Sequence, residues 1–211
     1  MAAPTQTARP RPPIKVRPAH LSDVGTLVRM YRGQSTESRE LYHPFPFGRG
    51  SLTLIFLFMV LSRPFVRRLI QWAPRRALVL LVACVGDDPH PVGYGNVAVV
   101  RRPTGVKAIF GYLVRPEYRS LGIGTRLHED MIEAAIALGI RRGGGMVISQ
   151  NAANLRVLEK LGFTMMNTGL VDRSAPGATN IETDGDLVEI AARFRARRAG
   201  AGPSAPGAAP A

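Results

Sequence analysis

The sequence contains little cysteine and no hydrophobic segment long enough to cross a membrane. Its one cysteine, Cys84, excludes an intramolecular disulfide, and the apolar residues beside it predict a buried, unreactive thiol in a reducing compartment. The most hydrophobic segment, 52–61, has about half of the roughly 20 residues that a membrane-spanning helix needs. The first residues include arginines and prolines but no apolar run of the secretory type. We expect a cytoplasmic protein without a transmembrane helix.

Acidic residues are also scarce. The chain has 15 Asp and Glu residues against 28 Lys and Arg residues, which gives a formal net charge of +13. Such a surface attracts polyanions, including phosphorylated cofactors, nucleic acid and anionic membranes. Much of the excess is arginine near the two chain ends, which favours solvated basic tails over a binding surface. Nucleic acid or an anionic membrane therefore remains open as a partner but is not favoured, and the sequence does not indicate an oligomeric state.

The composition is that of one globular domain with tails. Apolar residues make up 45% and charged residues 20% of the 211 residues. We expect tails at 1–13 and 195–211, which are rich in Pro, Ala or Gly, and a single domain over 14–194. Within the domain, an apolar helical insertion is predicted at about 48–74. Two short helices over the sheet explain this insertion most simply, and an interfacial membrane anchor is the alternative.

Hydrophobic periodicity predicts a mixed sheet with helices on its faces. Strands are expected at 14–16, 77–85, 92–100, 108–114, 146–148, from 163 onwards, and within 186–191. Helices are expected at 24–31, within the insertion, at 122–138 and at 151–162. The strands at 77–85, 92–100 and 108–114 are expected to form an antiparallel meander, because short turn-forming segments separate them. The order of elements predicts an α/β fold, of the α+β type, with a mostly antiparallel central sheet.

The most informative segment is 115–125, where a strand leads directly into a helix. A helix N-terminus exposes unpaired N–H groups and the positive end of its dipole, so it can bind phosphate. Gly122 and Gly124 would allow the backbone to approach a pyrophosphate closely. The spacing differs from the G-x-G-x-x-G of dinucleotide-binding folds, and the G-K-[ST] of the P-loop is absent.

Three motifs resemble those of the GCN5-related N-acetyltransferase (GNAT) superfamily. The pattern V-x-P-x-x-R-x-x-G-x-G over 114–124 resembles the R/Q-x-x-G-x-G/A loop that binds the pyrophosphate of acetyl-CoA. Residues 151–163 are similar to the N-x₈-K-x-G-F segment of the family, and 14–23 are similar to its opening strand and helix. The matches occur in the expected order. A shorter segment, 34–39, is similar to one in bacterial protein-lysine acetyltransferases of this superfamily.

The resemblance implies that acetyl-CoA is the co-substrate and that a strand splays at its site. The backbone of Tyr112, Leu113 and Val114 would pair with the pantetheine arm, to which Asn151 would also hydrogen-bond. The pyrophosphate would lie against the loop and the first helical turn: Arg119, Ser120, Leu121, Gly122, Ile123, Gly124 and Thr125. Each group has a purely structural alternative: strand core for 112–114, a helix cap for 120–125 and a helix N-cap for Asn151.

The acid and base familiar from this superfamily are missing. A tyrosine that protonates the thiolate in relatives maps to Leu158, a glutamate base on the preceding strand maps to Met146, and the glutamate of the protein-lysine branch falls near Ile109. Other candidates come from local chemistry: Tyr112, Ser149, Asn154, Glu40, Tyr42 and His43. Catalysis by positioning alone is the alternative. Phe45, Phe47 and the insertion are expected to form the acceptor wall.

The resemblance therefore predicts an acetyl-CoA-dependent N-acetyltransferase that acts on a primary amine of a small metabolite or of a protein. The apolar residues at the three familiar catalytic positions motivate an alternative function, a non-catalytic acyl-CoA-binding sensor or interaction module. No metal site is predicted.

Overall fold

A computed structural model describes residues 12–35, 49–61, 75–102, 105–171 and 177–200. The strands are β1 Ile14–Pro18, β2 Arg75–Val85, β3 Gly93–Arg102, β4 Gly105–Val114, β5 Arg142–Ile148, β6 Thr164–Val171 and β7 Thr179–Asp186. The helices are α1 Val24–Arg32, α2 Arg49–Leu61, α3 Ile123–Ala137, α4 Ala152–Leu161 and α5 Leu187–Gly200.

The seven strands form one sheet in the order β1-β2-β3-β4-β5-β7-β6. Each neighbouring pair is antiparallel except β4 and β5, which are parallel. The connection between these two strands contains α3, as a parallel crossover requires. The predicted fold class, a mixed and mostly antiparallel sheet with helices on both faces, is confirmed.

One face of the sheet, called here the first face, is covered by α3, α4 and α5. The apolar residues of α3 recur every three or four positions, so Ile123, Leu127 and Met131 all point into the sheet and are buried. Leu161 of α4 and Phe194 of α5 complete this core. These three helices form one layer of the fold, and they bring the start of α3 beside the end of β4.

The opposite, second face is covered over β2 to β4 by α1 and α2. Leu52 and Phe56 of α2 are fully buried, and Phe56 meets Tyr94 of β3 edge to face, with ring centroids 5.4 Å apart. The other side of α2 exposes Leu54 and Phe58. Among the described helices, none combines the length and the apolar character needed to cross a membrane. The interfacial-anchor alternative for this insertion stays a prediction, and 62–74 lie outside the described residues.

An ion pair between the half-buried Arg17 and the buried Asp23 fixes the opening strand against the first helix. Both guanidinium NH groups of Arg17 donate to Asp23, at 2.7 and 3.0 Å, and the His20 backbone N–H donates to the same carboxylate at 2.8 Å. Asp23 is 5% exposed, so these bonds replace the water that its charge would otherwise need. The opening segment 14–23, whose similarity to the family's first strand and helix was noted above, is thus held together by this ion pair.

The final strand predicted within 186–191 is wrong, because this segment starts α5. Leu187, Ile190 and Phe194 are buried at helical spacing, and the Asp186 carboxylate accepts the backbone N–H of Val188 at 2.9 Å as an N-terminal cap. The helix continues to Gly200, past the start of the predicted tail at 195. The rest of that tail lies outside the described residues.

The strand before α4 is longer than predicted. It begins at Arg142 rather than at Met146, so the three glycines 143–145 lie inside β5 rather than before it. All seven of its residues pair with β7, a strand that the sequence did not indicate. Gly143 and Gly144 leave no room for a side chain, because a methyl group would lie 2.5 Å from Leu187 of α5 at the first position and 2.0 Å from the Thr183 carbonyl oxygen of β7 at the second.

Candidate functional site

The sheet opens between its two parallel strands. The register of β4 and β5 contains only Lys107 opposite Arg142 and Ala108 opposite Gly143. Beyond these pairs, 109–114 of β4 and 144–148 of β5 diverge, although both strands continue. Backbone N–H and C=O groups on the facing edges must find partners outside the ladder. Such a gap can accept an extended ligand that pairs with the β4 backbone.

The closed end of the gap is the place where Ala108 of β4 still pairs with Gly143 of β5. Tight contacts between β5 and β7 lie beside it. Gly144 has φ of +146°, and a methyl group at this position would lie 2.0 Å from the carbonyl oxygen of Thr183. The hydroxyl of Thr183 accepts the Gly145 N–H at 2.9 Å and donates to the Gly145 carbonyl at 3.0 Å. These contacts hold β5 on β7 while it leaves β4.

The predicted pyrophosphate loop lies at the open end of the gap. Residues Pro116–Tyr118 form one 3₁₀ turn after β4, and the guanidinium of Arg115 stacks on the Tyr118 ring at 5.4 Å. Ser120 and Gly122 then have left-handed φ angles of 63° and 88°. Gly122 is the N-cap of α3 and provides no side-chain cap, so the first N–H groups of the helix face the loop. This geometry suits an anion.

Gly124 has a packing role that the sequence did not indicate. A methyl group at this position would lie 2.8 Å from Cε2 of Tyr112, so the first turn of α3 can rest on the tyrosine ring only if residue 124 is glycine. The ring also meets His128, with centroids 4.8 Å apart. Burial raises the pKa of Tyr112 to about 12, which keeps its hydroxyl protonated at neutral pH. Tyr112 thus lies under the loop, on the first face.

His128 is a buried histidine that sequence analysis missed. It is 2% exposed, and within the described part of the chain its Nδ1 has no hydrogen-bond partner of good geometry. Desolvation lowers the pKa of His128 to about 4, and the Gly124 backbone offsets only part of this effect. The only signal was a histidine four residues after Gly124 on the apolar face of the helix, a position usually filled by core residues.

Three polar residues that follow β5 were predicted as site residues, and they differ in the hydrogen bonds that their side chains make. The Asn151 side chain accepts the Asn154 N–H at 3.2 Å, as the N-cap of α4. The Ser149 hydroxyl accepts the Thr179 N–H at 3.1 Å and extends the β5–β7 ladder. By contrast, Oδ1 of Asn154 is buried and has no hydrogen-bond partner among the described residues. Asn154 therefore has an acceptor available for a ligand.

The three apolar positions where relatives carry acid or base lie in different environments. Leu158 is 4% exposed and belongs to the first-face core. Met146 is 53% exposed on β5, and Ile109 lies near the closed end of the gap, 3.4 Å from where a methyl group on Gly145 would be. None of the three side chains can transfer a proton. The candidates Glu40, Tyr42, His43, Phe45 and Phe47 lie outside the described residues.

Comparisons with known proteins agree with this architecture. The family model described as Acetyltransferase (GNAT) family matches residues 40–163, more than half of the chain. No curated protein sequence matches. Among solved structures, YncA of Salmonella typhimurium, solved with its cofactor acetyl-CoA, is 20% identical with a TM-score of 0.60; the match covers 82% of this chain and 94% of that one.

Two further structures show the same fold. The GNAT domain of S. lividans PAT is 21% identical with a TM-score of 0.57, and the match covers 82% of this chain and 90% of that one. The ribosomal-protein-S5-alanine acetyltransferase of Vibrio fischeri is 18% identical with a TM-score of 0.59, and 82% and 93% are covered. The family predicted from the three motifs is confirmed, and the chain belongs to the GNAT acetyltransferase family.

Proposed function

We propose that this protein is an N-acetyltransferase that transfers the acetyl group of acetyl-CoA to a primary amine of a small metabolite or of a protein. The observation that carries the proposal is the gap between β4 and β5, with the loop 115–122 and the start of α3 at its open end. Membership of an acetyltransferase family supports the same reaction class. The single buried cysteine, Cys84, agrees with action in the cytoplasm.

The residues at the gap fit acetyl-CoA. Gly122 has no atom within 4 Å of the position a side chain would take, so a pyrophosphate could approach its backbone and the first N–H groups of α3. The backbone of 112–114 borders the gap and could pair with the pantetheine arm. The buried Oδ1 of Asn154 could accept a hydrogen bond from an amide of that arm. The net charge of +13 favours a polyanionic ligand.

The transfer requires a neutral amine and a proton for the departing thiolate. The amine nitrogen attacks the thioester carbonyl carbon and forms the C–N bond, the C–S bond breaks, and the thiolate takes up the proton that the nitrogen releases. Leu158, Met146 and Ile109 provide no titratable group, so the backbone of β4 would contribute by orienting the thioester and polarising its carbonyl. Positioning alone can lower the barrier by several kcal/mol.

Two measurements test the proposal. Isothermal calorimetry should detect acetyl-CoA binding, and a thiol-reactive dye should detect release of free CoA when a broad panel of primary amines is added. Acetylation of a metabolite extract, followed by mass spectrometry, would then identify acceptors. Absence of acetyl-CoA binding at millimolar concentration would contradict the proposal.

A second candidate function is a non-catalytic acyl-CoA sensor. The observation that favours it is the burial of Leu158, because the position of the familiar acid is part of the core rather than of the gap. This alternative predicts acetyl-CoA binding without CoA release for any amine. The proposed enzyme requires both.

A further inference from the structure

One row of side chains crosses three strands on the second face of the sheet. Glu182 of β7 lies directly opposite Met146 of β5 and directly opposite Met166 of β6. Opposite residues of antiparallel strands project to the same face, with Cβ atoms about 5 Å apart. A side chain at Gly185 of β7 would point to the first face, because it would contact Ile190 of the first-face core. Side chains alternate along a strand, so Glu182, three residues before Gly185, projects to the second face.

This row is open to solvent. Met146 is 53% exposed, Met166 is 61% exposed, and Glu182 belongs to the exposed residues. The described helices of the second face, α1 and α2, contribute to the core over β2 to β4 and do not bury this row. The row therefore forms a surface of one carboxylate between two flexible thioether side chains.

The row stands beside the closed end of the gap. Ala108 and Gly143 form the last β4–β5 pair, a methyl group on Gly145 would still lie 3.4 Å from the Ile109 side chain of β4, and Met146 is the next residue of β5. If the pyrophosphate lies at 119–125 and the pantetheine arm along 112–114, the thioester lies further back along β4, towards Ile109. Met146 then borders the thioester. Glu182 is one strand further, a distance of about 4.8 Å that a glutamate side chain can span.

Glu182 differs from the neighbouring acidic residue Asp184, whose charge is compensated by ion pairs. Asp184, two residues along the same face, pairs with Lys107 at 3.1 Å and with Arg142. Within the described part of the chain, the Glu182 carboxylate makes neither an ion pair nor a hydrogen bond. In a chain with a net charge of +13, an exposed carboxylate between two methionines is suited to bind a cation on an apolar stem.

We propose that Glu182 binds the ammonium group of the acceptor and accepts its proton, and that the acceptor is a primary amine on an apolar body. The inference rests on the proposed N-acetyltransferase function. The proton moves from the ammonium nitrogen to a Glu182 oxygen, directly or through one water molecule. The neutral amine nitrogen then attacks the thioester carbonyl carbon and forms the C–N bond, the C–S bond breaks, and the departing thiolate takes up the proton that the nitrogen releases as the amide forms. Met146 and Met166 contact the apolar body.

The test compares three variants with the wild-type protein. Glu182→Gln removes the charge but keeps the shape, Glu182→Asp keeps the charge on a shorter stem, and Glu189→Gln is the matched control, an exposed carboxylate on α5. The probes are 2-phenylethylamine, its neutral analogue 2-phenylethanol, and taurine, an amine that carries a sulfonate in place of the apolar body. Calorimetry measures binding of the first two probes without acetyl-CoA, and CoA release gives kcat/KM for the amines.

The wild-type protein should bind 2-phenylethylamine at least tenfold more tightly than 2-phenylethanol and should not acetylate taurine. In Glu182→Gln this preference should vanish and kcat/KM should fall about 100-fold, the usual contribution of a general base. Glu182→Asp should recover part of the loss, and Glu189→Gln should match the wild type. Acetyl-CoA affinity should be equal in all four proteins.

Each opposite result has a distinct meaning. The role of Glu182 is wrong if Glu182→Gln keeps kcat/KM within twofold of the wild type, or if the wild-type protein binds the alcohol as tightly as the amine. Acetyl-CoA binding without turnover of 2-phenylethylamine would overturn the acceptor assignment. A wild-type protein that does not bind acetyl-CoA would overturn the proposed function instead, and amine binding would still report on Glu182.

Discussion

The ring of Tyr112 occupies the space that a side chain at Gly124 would need, because a methyl group there would lie 2.8 Å from Cε2 of the ring. The contact joins β4, whose backbone borders the gap, to the first turn of α3, which begins at the loop. His128 packs on the same ring one helical turn later. The positions of the strand edge and of the helix N-terminus are thus coupled through one aromatic side chain.

Replacing Gly124 with alanine should destabilise the protein and weaken acetyl-CoA binding. The new methyl group forces the ring or the helix to move, and overpacking of this kind costs about 1–3 kcal/mol. Urea unfolding gives the free energy of unfolding, and calorimetry gives the affinity. The same substitution in a Tyr112→Val background should cost less, since the obstructing ring is gone. An equal cost in both backgrounds would show that the ring is not the cause.

Gly122 is constrained in a different way, by its backbone. Its φ of +88° strains any other residue, although a side chain there would contact nothing within 4 Å. Gly139, with φ of +82° and equally open space at the other end of α3, is the matched control. Both Gly→Ala changes should cost about 1 kcal/mol of stability. Only Gly122→Ala should weaken acetyl-CoA binding, by about tenfold, or ~1.4 kcal/mol. Equal affinities of the two variants would place the pyrophosphate elsewhere.

The sequence predicted those parts of the site that depend on local pattern. The periodicity of α3 and the glycines before it indicated the loop, and Asn151 and Gly162 marked the ends of α4. Contacts between distant segments had no local signal. The register that sets Glu182 opposite Met146 depends on how β7 pairs with β5, and the need for glycine at 144 arises only from that pairing.

The error at the C-terminal end of the domain has a similar origin. Leu187, Val188 and Ile190 form a short apolar run that resembles a strand, whereas the helical period becomes visible only when Ala191 and Phe194 are added. The arginines around these residues suggested a tail. Packing of this face on the sheet determines the helix, a tertiary effect that outweighs local preference.

The three glycines of β5 should differ sharply in their tolerance of alanine. At Gly144, φ is +146° and a methyl group would lie 2.0 Å from the Thr183 carbonyl oxygen; at Gly145 it would make an ordinary 3.4 Å contact with Ile109. Gly144→Ala should lose about 4 kcal/mol or more, or fail to accumulate as soluble protein. Gly145→Ala should stay within about 1 kcal/mol of the wild type in urea unfolding. Similar stabilities for the two variants would contradict the close contact between Gly144 of β5 and the Thr183 carbonyl of β7.

His128 should make stability depend on pH below neutrality. Its pKa is lowered from 6.5 to about 4 by burial, so the folded protein keeps it neutral while the unfolded chain takes up a proton. Its stabilising contribution is therefore complete above pH 6.5 and decreases as the pH falls towards 4. The full effect is on the order of 3 kcal/mol, and the part lost between pH 7.5 and 5.5 is about 1.4 kcal/mol.

Urea unfolding of the wild type and of His128→Leu at these two pH values measures the effect. Leucine is apolar and similar in size, so the variant should keep the fold while losing the titrating group. The difference in unfolding free energy between pH 7.5 and 5.5 should be smaller in His128→Leu by about 1.4 kcal/mol. An unchanged pH dependence in His128→Leu would mean that the imidazole accepts a proton inside the folded protein as readily as it does in water.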